Sequence, residues 1–369
     1  MGFLPTTLGT RPRLAVEVRV EGVVAARAED AAALLTAVAR ADVSEGAVVP
    51  GLKAGNVVDR GGLVAAMRSA LDAVAERAGG RSRDVTVVVP DAAVRVLLLD
   101  FDQLPSKAAE ALSVVRFRLK KLLPFDADDA VVSYQVMSSA KDLVRVLAVA
   151  IPKDVIEEYE GAVVAAGYLP GAVLPSTLAA LAGLDEAEAP ALVVNARPGA
   201  VTTAIVRAGI LLLHRSVDMS GDMNGAAGVE AHASELPLVD RESSVEEWAR
   251  QEALGPGGYD RLDAEVAMQT SVVEAAVVRE VVGTEAAHEV TQAVSVAAAY
   301  FEDTLRSSPE TVLSAGTLGA ETLAAMMQES GLEGLRVREM VDTGMLEAGA
   351  VTATVPRGWL AGVRGALKN

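Results

Sequence analysis

The sequence predicts an α/β protein built from two related lobes. The chain has 369 residues, which at roughly 100–200 residues per domain corresponds to two or three domains. Hydrophobic residues make up 51% of the chain but aromatic residues only 3%, so Ala, Val and Leu must form the core, as in helix-rich α/β proteins. An order of strand, hairpin and helix occurs in the first half and recurs in the second half, which indicates two lobes of one kind.

The first half begins with strands and a helix. Residues Leu14–Ala26 alternate between apolar and charged side chains, which is typical of a half-buried strand. The Ala/Leu-rich segment Asp30–Arg40 is predicted as a helix or as a strand–loop–helix edge, and Gly61–Arg77 has the apolar spacing of a helix. Two β-branched strands follow around the turn signal Pro90-Asp91; they are Asp84–Val89 and Val94–Phe101.

Helices and strands alternate through the rest of the first half. Ser106–Leu123 is predicted as a helix that stops at Pro124, and Lys153–Ala166 as a helix that ends at Gly167. The other predicted elements here are the strands Val131–Val136, Leu143–Ile151 and Val173–Leu174 and the helix Pro175–Leu184.

The second half repeats this order. Ala191–Asn195 is predicted as a buried strand and leads into a hairpin that turns at Ala208-Gly209. Ser216–Leu262 is rich in Gly, Asp, Glu, Ser and Pro and is predicted as a solvated, mobile insertion, with a partner-binding loop as the alternative. The remaining predicted elements are the hairpin strands Val201–Ala208 and Ile210–Ser216, the helices Asp263–Val282, Glu285–Leu305, Leu318–Ser330 and Pro356–Leu367, and the strands Thr311–Ser314 and Leu335–Arg338.

The composition excludes several classes of function. The 33 basic and 50 acidic residues give a net charge of −17, which argues against DNA or RNA as the main ligand. The chain has no cysteine, which excludes disulfides, thiolate nucleophiles and Cys-ligated metals, and its three histidines have no motif spacing. The sequence has no run of about 20 mostly apolar residues and no secretory signal pattern, so we expect a cytoplasmic protein.

Three loops at strand ends are the candidates for a nucleotide cleft between the lobes. There, backbone N–H groups near glycines or small hydroxyl residues can reach phosphate oxygens, and a carboxylate can hold Mg²⁺. The commoner explanations are a solvated strand residue for Glu17 and a strand-to-helix turn for Gly316. The candidate cleft residues are Glu17, Asn195, Gly199, Thr202, Thr203 and Gly316.

Motifs in the first half resemble those of one family. A helix ends in Pro-Phe within Leu119–Phe125, an acidic stretch leads into the strand segment Asp128–Val136 with an aromatic residue near its centre, and Gly167–Pro170 forms a Gly-Tyr-Leu-Pro turn. This order resembles the PilM family, cytoplasmic actin-like proteins of the type IV pilus inner-membrane platform. The resemblance covers most of the chain outside Ser216–Leu262.

The resemblance implies a two-lobed actin-like (RNase H-like) fold with an α/β subdomain inserted in the first lobe. The core of the first lobe is then residues 1–84, completed by about 153–188 and by the C-terminal helix at 340–369. The inserted, partner-binding subdomain is residues 85–152. The second lobe is residues 189–339 and contains a flexible insertion at 216–262.

The nucleotide loops depart from the family pattern. Glu17 keeps the acid of the first loop, but Arg19 stands where the family has Gly; Asn195–Arg197 stands where it has Asp-Ile-Gly; and the adenosine loop has Gly316 where it has two or more glycines in a row. An Arg lacks the positive-φ freedom of Gly, and Asn lacks the anionic oxygen that holds Mg²⁺. We therefore expect no cofactor and no ATP hydrolysis. The alternative is that an Arg contacts phosphate, so that ATP and Mg²⁺ bind without hydrolysis.

The helix Ser106–Leu123 belongs to a candidate partner site. In the family, the subdomain with this helix helps form a groove for the short, largely apolar cytoplasmic tail of the membrane protein PilN. By this resemblance Phe101, Leu119, Leu123 and Phe125 line the groove, and the basic residues of the helix meet acidic groups of the tail or lipid headgroups. The alternative is an ordinary amphipathic helix packed on a strand pair, with these side chains as core.

Together these features predict a scaffold protein of a pilus or related secretion platform. Its partners would be a PilN-like tail and other platform components, with no nucleic acid, and it would reach the inner face of the bacterial inner membrane only through its partner. Two alternatives stay open: an ATP-binding actin-like switch of the same machinery, and a cytoplasmic domain like GspL of type II secretion. GspL normally continues into a transmembrane helix, for which this sequence has no candidate. An oligomer is compatible with each of these functions.

Overall fold

The computed structural model describes residues 11–78, 82–184, 189–219, 284–332, 334–350 and 355–368. The predicted helix Asp263–Val282 and the predicted insertion beyond residue 219 lie outside these ranges. The strands are β1 Leu14–Val18, β2 Gly22–Ala28, β3 Leu35–Asp42, β4 Asp84–Val89, β5 Arg95–Phe101, β6 Ala130–Ala140, β7 Leu143–Pro152, β8 Leu169–Pro175, β9 Ala191–Arg197, β10 Ala200–Arg207, β11 Ile210–Asp218, β12 Thr311–Gly316 and β13 Arg336–Glu339. The helices are α1 Arg60–Ala78, α2 Ala108–Leu119, α3 Lys153–Ala165, α4 Ser176–Ala182, α5 Thr284–Leu305, α6 Ala320–Glu329 and α7 Leu360–Leu367.

Two five-stranded sheets share one topology. The first has the strand order β3-β2-β1-β4-β8 and the second the order β11-β10-β9-β12-β13. In each sheet three consecutive antiparallel strands continue into two parallel strands. Parallel strands need crossover connections, which the helices provide. The two related lobes predicted from the recurring order are therefore present.

Strand β3 corrects one prediction. The segment Asp30–Arg40 was expected to contain a helix, but Leu35–Asp42 is a strand that pairs with β2. Leu35, Ala37 and Ala39 are buried at alternate positions, as the period of a strand requires. The high helix propensity of Ala is a weak preference that tertiary pairing overrides.

Strand β4 corrects a domain boundary. The inserted subdomain was expected to begin at residue 85, but β4 lies between β1 and β8 in the first sheet. Val85, Val87 and Val88 are fully buried, as expected for an interior strand of a sheet that is covered on both faces. The insertion therefore starts after Val89.

The inserted subdomain is a three-stranded antiparallel sheet of order β5-β7-β6 with α2 on one face. Asp100 and Arg145, opposite each other on β5 and β7, form a bidentate pair with distances of 2.9 and 3.1 Å. On the other face of the sheet, Leu147 belongs to the main hydrophobic core. The subdomain is thus joined to the body of the protein through its own sheet.

One buried cluster extends across both lobes, although the second lobe also has a core of its own. Val193 and Ala204 of the second sheet belong to the same buried cluster as Leu14 of the first sheet. Helices α4 and α7 pack against each other, and Gly365 is needed there because a Cβ atom at this position would collide with the carbonyl oxygen of Ala179. The C-terminal helix therefore returns to the first lobe and lies along the junction.

Candidate functional site

Arg19 occupies the turn between β1 and β2, the first of the predicted nucleotide loops. Its backbone N–H donates to the carbonyl oxygen of Gly22 at 2.9 Å, which closes the turn. Its side chain is 1% exposed; Nη1 donates to Glu17 Oε1 at 3.1 Å and Nη2 to Thr317 Oγ1 at 2.8 Å. Because Glu17 lies in the first lobe and Thr317 follows β12 of the second, one guanidinium connects the two lobes.

Glu17, also 1% exposed, is a second point where the lobes meet. Its Oε1 accepts hydrogen bonds from Arg197 Nη2 at 2.6 Å and from Ser176 Oγ at 2.9 Å. Arg197 ends β9 of the second lobe, and its Nε donates to Asn195 Oδ1 at 3.2 Å. The carboxylate that the sequence suggested for Mg²⁺ is therefore engaged by side chains of this chain.

Glu21 completes a group of two cations and two carboxylates. Its Oε1 accepts from Thr317 Oγ1 at 2.5 Å, and its Oε2 lies 3.6 Å from Arg19 Nε. Burial alone would raise the pKa of Glu21, but the charge of Arg19 and the bond from Thr317 outweigh burial and lower this pKa. Burial and the charge of Arg197 lower the pKa of Arg19. We refer to Glu17, Arg19, Glu21, Arg197 and Thr317 as the cleft network.

The C-terminal segment packs on the cleft network. The ring of Trp359 is buried between the guanidinium carbons of Arg19 and Arg40, each 4.3 Å from the ring centroid. Such stacking on both faces of an indole is favourable for cations. The neighbouring Gly358 lies directly on Gly316, since a Cβ atom at Gly358 would collide with the carbonyl oxygen of Gly316.

The loop after β12 packs closely against the end of β9. Gly316 has a φ of +87°, and a Cβ atom there would collide with the carbonyl oxygen of Ala196 and lie 2.6 Å from Asn195 Oδ1. The backbone N–H of Thr317 donates to the Ala196 carbonyl oxygen at 2.7 Å. Glycine is thus required at position 316 for the approach of β12 to β9 and for its positive φ.

A buried carboxylate that sequence reasoning missed lies beside the cleft network. Asp91 follows β4, and it accepts from the backbone N–H of Thr177 at 3.0 Å and from Thr177 Oγ1 at 2.5 Å. Asn195 Nδ2 donates to Thr177 Oγ1 at 2.8 Å, and Thr202 Oγ1 donates to Asp91 Oδ2 at 3.2 Å. We refer to these four residues as the Asp91 cluster. In the sequence, Pro90-Asp91 had only the signature of a turn.

Of the six predicted cleft residues, four lie close together in the structure and two, Gly199 and Thr203, take no part in the networks described above. Thr203 follows Thr202 on β10, and its buried Oγ1 has no hydrogen-bond partner in the part of the chain that the structure describes. Gly199 forms the β9–β10 turn with a φ of +78° and open space beside it. Those brought together by the cleft network and the Asp91 cluster are Glu17, Asn195, Thr202 and Gly316.

One of the four residues predicted to line a partner groove is fully buried, and the other three are partly buried. Leu119 has no exposed surface and packs in the core between α2 and the inserted sheet, so the prediction that it lines a groove was wrong. Phe101, Leu123 and Phe125 are partly buried against the same core. The most exposed apolar side chain of α2 is Phe117, at 68%.

An apolar cavity of about 60 Å³ lies at the seam between the inserted sheet and the first lobe. The strands that border it are β6, an edge of the inserted sheet, and β8, an edge of the first sheet. Edge strands present unpaired backbone groups. Its lining residues include Val89, Val94, Val131, Ser133, Leu174 and Pro175. No sequence pattern indicated this cavity, because its walls come from separate elements.

Within the described residues there is neither a metal-binding group nor a helix that could cross a membrane. In those ranges, no group of three or more His, Asp or Glu side chains is arranged to hold a metal ion. Among the helices that the structure describes, none combines the length and apolar character that crossing a bilayer requires.

Comparison with solved structures identifies the architecture. The PilM–PilN type IV pilus biogenesis complex contains a chain that superposes with a TM-score of 0.66 at 17% identity, covering 96% of this chain and 98% of that one. The fold is actin-like. This confirms the fold class predicted from the sequence.

Weaker similarities extend to other proteins. EutJ of Carboxydothermus hydrogenoformans, an ethanolamine utilization protein, has a TM-score of 0.43 at 12% identity, with 96% of this chain and 89% of that chain covered. The cytoplasmic domain of EpsL, from the type II secretion system of Vibrio cholerae, has a TM-score of 0.36 at 14% identity, with 56% and 70% covered. No protein-family model and no curated protein sequence matches the chain.

Proposed function

We propose that this protein is a scaffold of a type IV pilus or related secretion platform. In this role it sits at the cytoplasmic face of the inner membrane and holds the cytoplasmic tail of a PilN-like membrane protein. The proposal is supported by the fold shared over nearly the whole chain with the PilM–PilN complex and by the order of motifs in the first half of the sequence.

The proposed scaffold works without ATP hydrolysis. The observation that carries this proposal is the side chain of Arg19, which spans from Glu17 to Thr317 at the turn where a nucleotide phosphate would need free backbone N–H groups and space. Arg197 and Ser176 engage Glu17 in addition. Mg²⁺ and ATP do not fit this arrangement, because the guanidinium groups fill the loops and Glu17 Oε1 is already paired. Glu17 Oε2 has no hydrogen-bond partner among the described residues, but it lies directly against Gly362 of α7, which leaves no space for an ion there.

The seam cavity is the proposed site of the tail. The cavity of about 60 Å³ is lined mainly by apolar side chains, among them Val131, Ile151 and Leu174, which suits an apolar side chain of a peptide. An extended tail placed there finds the free edges of β6 and β8 for main-chain hydrogen bonds and an apolar pocket for its side chains. This is the kind of site that an apolar, extended peptide fits.

Calorimetric titration tests the proposal. The purified protein is titrated with a synthetic peptide copying the cytoplasmic tail of the PilN-like protein from the same cell, with and without Mg-ATP. We expect saturable binding that Mg-ATP leaves unchanged and that Val131→Glu abolishes, since Val131 lines the cavity and is 44% exposed. The matched control is Val58→Glu, at a 65% exposed position in the loop before α1. No binding by the unmodified protein would refute the proposal.

A further inference from the structure

In the sequence, Asp91 lies in the turn between Val89 and Val94, which line the seam cavity. Its carboxylate contacts helix α4. The carboxylate itself is 6% exposed and is not among the cavity-lining residues. It faces away from the cavity, toward Thr177 of α4.

Thr177 connects the segment that follows β8 to this carboxylate. Leu174 and Pro175, at the end of β8, line the cavity directly before α4 begins. Two residues later, the backbone N–H and the hydroxyl of Thr177 both donate to Asp91, at 3.0 and 2.5 Å. The ends of β4 and β8 are already paired, with Val89 opposite Pro175. The carboxylate adds a connection between the start of α4 and the turn through which the chain passes from β4 to Val94 and β5 of the inserted sheet.

The second lobe holds this connection in place. Asn195 of β9 donates to Thr177 Oγ1 at 2.8 Å, and Thr202 of β10 donates to Asp91 Oδ2 at 3.2 Å. Asn195 also accepts from Arg197, which binds Glu17. A continuous set of hydrogen bonds thus leads from the cleft network, through the Asp91 cluster, to the walls of the seam cavity.

We propose that Asp91 is a positioning residue for the tail site. In this chain the hydrogen bonds between the lobes hold the walls of the seam cavity in place. The cavity can therefore bind an extended apolar peptide without any nucleotide. Asp91 and Thr177 act by holding the turn between β4 and the inserted sheet against the start of α4, and they touch no part of the tail. The inference rests on the proposed function for the identity of the ligand, but its geometry stands on the hydrogen bonds of the Asp91 cluster alone.

The test compares three variants in the titration with the tail peptide. Thr177→Val removes the hydroxyl and keeps the shape, and we expect the dissociation constant to rise at least fivefold. Thr177→Ser keeps both donors and should restore the original value, which a role in shape alone would not predict. Met327→Ala, a core truncation in α6 of the second lobe, controls for lost stability and should leave the dissociation constant unchanged although it lowers the melting temperature.

Hydrogen exchange supplies a second measurement that needs no peptide. In the ligand-free protein, Thr177→Val should speed exchange at least fivefold in 131–133 and 171–175, which border the cavity, whereas Met327→Ala and Thr177→Ser should not. Unchanged exchange and unchanged affinity in Thr177→Val would overturn the inference. If the unmodified protein does not bind the peptide, the proposed function fails, whereas the exchange result still decides whether Asp91 and Thr177 position the cavity walls.

Discussion

Arg197 in the second lobe donates to Glu17 in the first lobe across 2.6 Å, and both side chains are nearly or fully excluded from solvent. The carboxylate is shared with Arg19, which itself reaches Thr317. A buried charge is stable only when it is paired and hydrogen-bonded. The lobes are therefore held together by side chains whose charges depend on one another.

Removing Glu17 should destabilise the protein strongly. Glu17→Ala leaves Arg19 and Arg197 without their shared carboxylate, and breaking a buried pair in this way typically costs about 3–5 kcal/mol. Urea unfolding at neutral pH measures the change. The control is Glu110→Ala, which removes the acid from an exposed pair with Lys107 and should cost no more than about 1 kcal/mol. Equal losses in both variants would contradict the role assigned to Glu17.

Mg-ATP should not change the thermal stability of the unmodified protein. A ligand that binds only the folded state raises stability with its concentration, by about 2.7 kcal/mol at 100 times its dissociation constant. We expect no shift of the melting temperature at millimolar Mg-ATP. A variant with Arg19→Gly, Asn195→Asp and Arg197→Gly, which introduces the Gly of the first loop and the Asp and Gly of the second, should show an increase in melting temperature with Mg-ATP. An increase of several degrees in the melting temperature of the unmodified protein would refute the proposal that it does not bind nucleotide.

Acid should weaken the contact between Glu21 and Arg19. Because the pKa of Glu21 is lower in the folded than in the unfolded protein, the unfolded state binds more protons as the pH falls through the unfolded value near 4.5. The stability from this group is therefore complete above that pH and is lost as the pH falls through the lower, folded value. Unfolding free energies measured from pH 6 to about pH 3 should fall less steeply in Glu21→Gln. If the unfolding free energy depended on pH identically in both proteins, the ionisation of Glu21 would contribute nothing to stability.

Truncation of Leu119 on α2 should destabilise the protein much more than truncation of Phe117 on the same helix. Leu119→Ala creates a cavity in the core of the inserted subdomain and should cost about 2–5 kcal/mol. Phe117→Ala removes a side chain that is 68% exposed and should change stability by no more than about 0.5 kcal/mol. Denaturant midpoints of the two variants give the comparison, and a large loss from Phe117→Ala would contradict the placement of α2.

Patterns within single elements predicted most of the fold. The alternation in Leu14–Ala26 and the hairpin in the second half located strands correctly. The expectation that Leu14–Ala26 is half-buried was wrong, because β1 and β2 are buried along their whole length and the charged residues Glu17 and Arg19 lie in the cleft network. β3 was missed because Ala-rich sequence favours a helix locally, whereas pairing with β2 decides the outcome. Leu119 was misplaced because an apolar helical stripe has the same spacing whether it meets a partner or its own sheet.

The candidate site was predictable only in part. Glu17, Arg19, Asn195 and Arg197 stood at strand ends that the topology brings together, so their proximity followed from the expected order of strands. Asp91 could not be found this way, because its partners come from three other elements and a lone Asp after Pro has the pattern of any turn. The seam cavity likewise depends on the packing of two sheets, which no local pattern encodes.

The position of Trp359 has a practical consequence. The chain has two tryptophans, and this one is held between two guanidinium groups on the first lobe. With Trp248 replaced by Phe, the indole emission spectrum becomes an intrinsic optical signal of whether the C-terminal segment stays docked. Release of this segment on unfolding can then be followed in solution without attaching any dye.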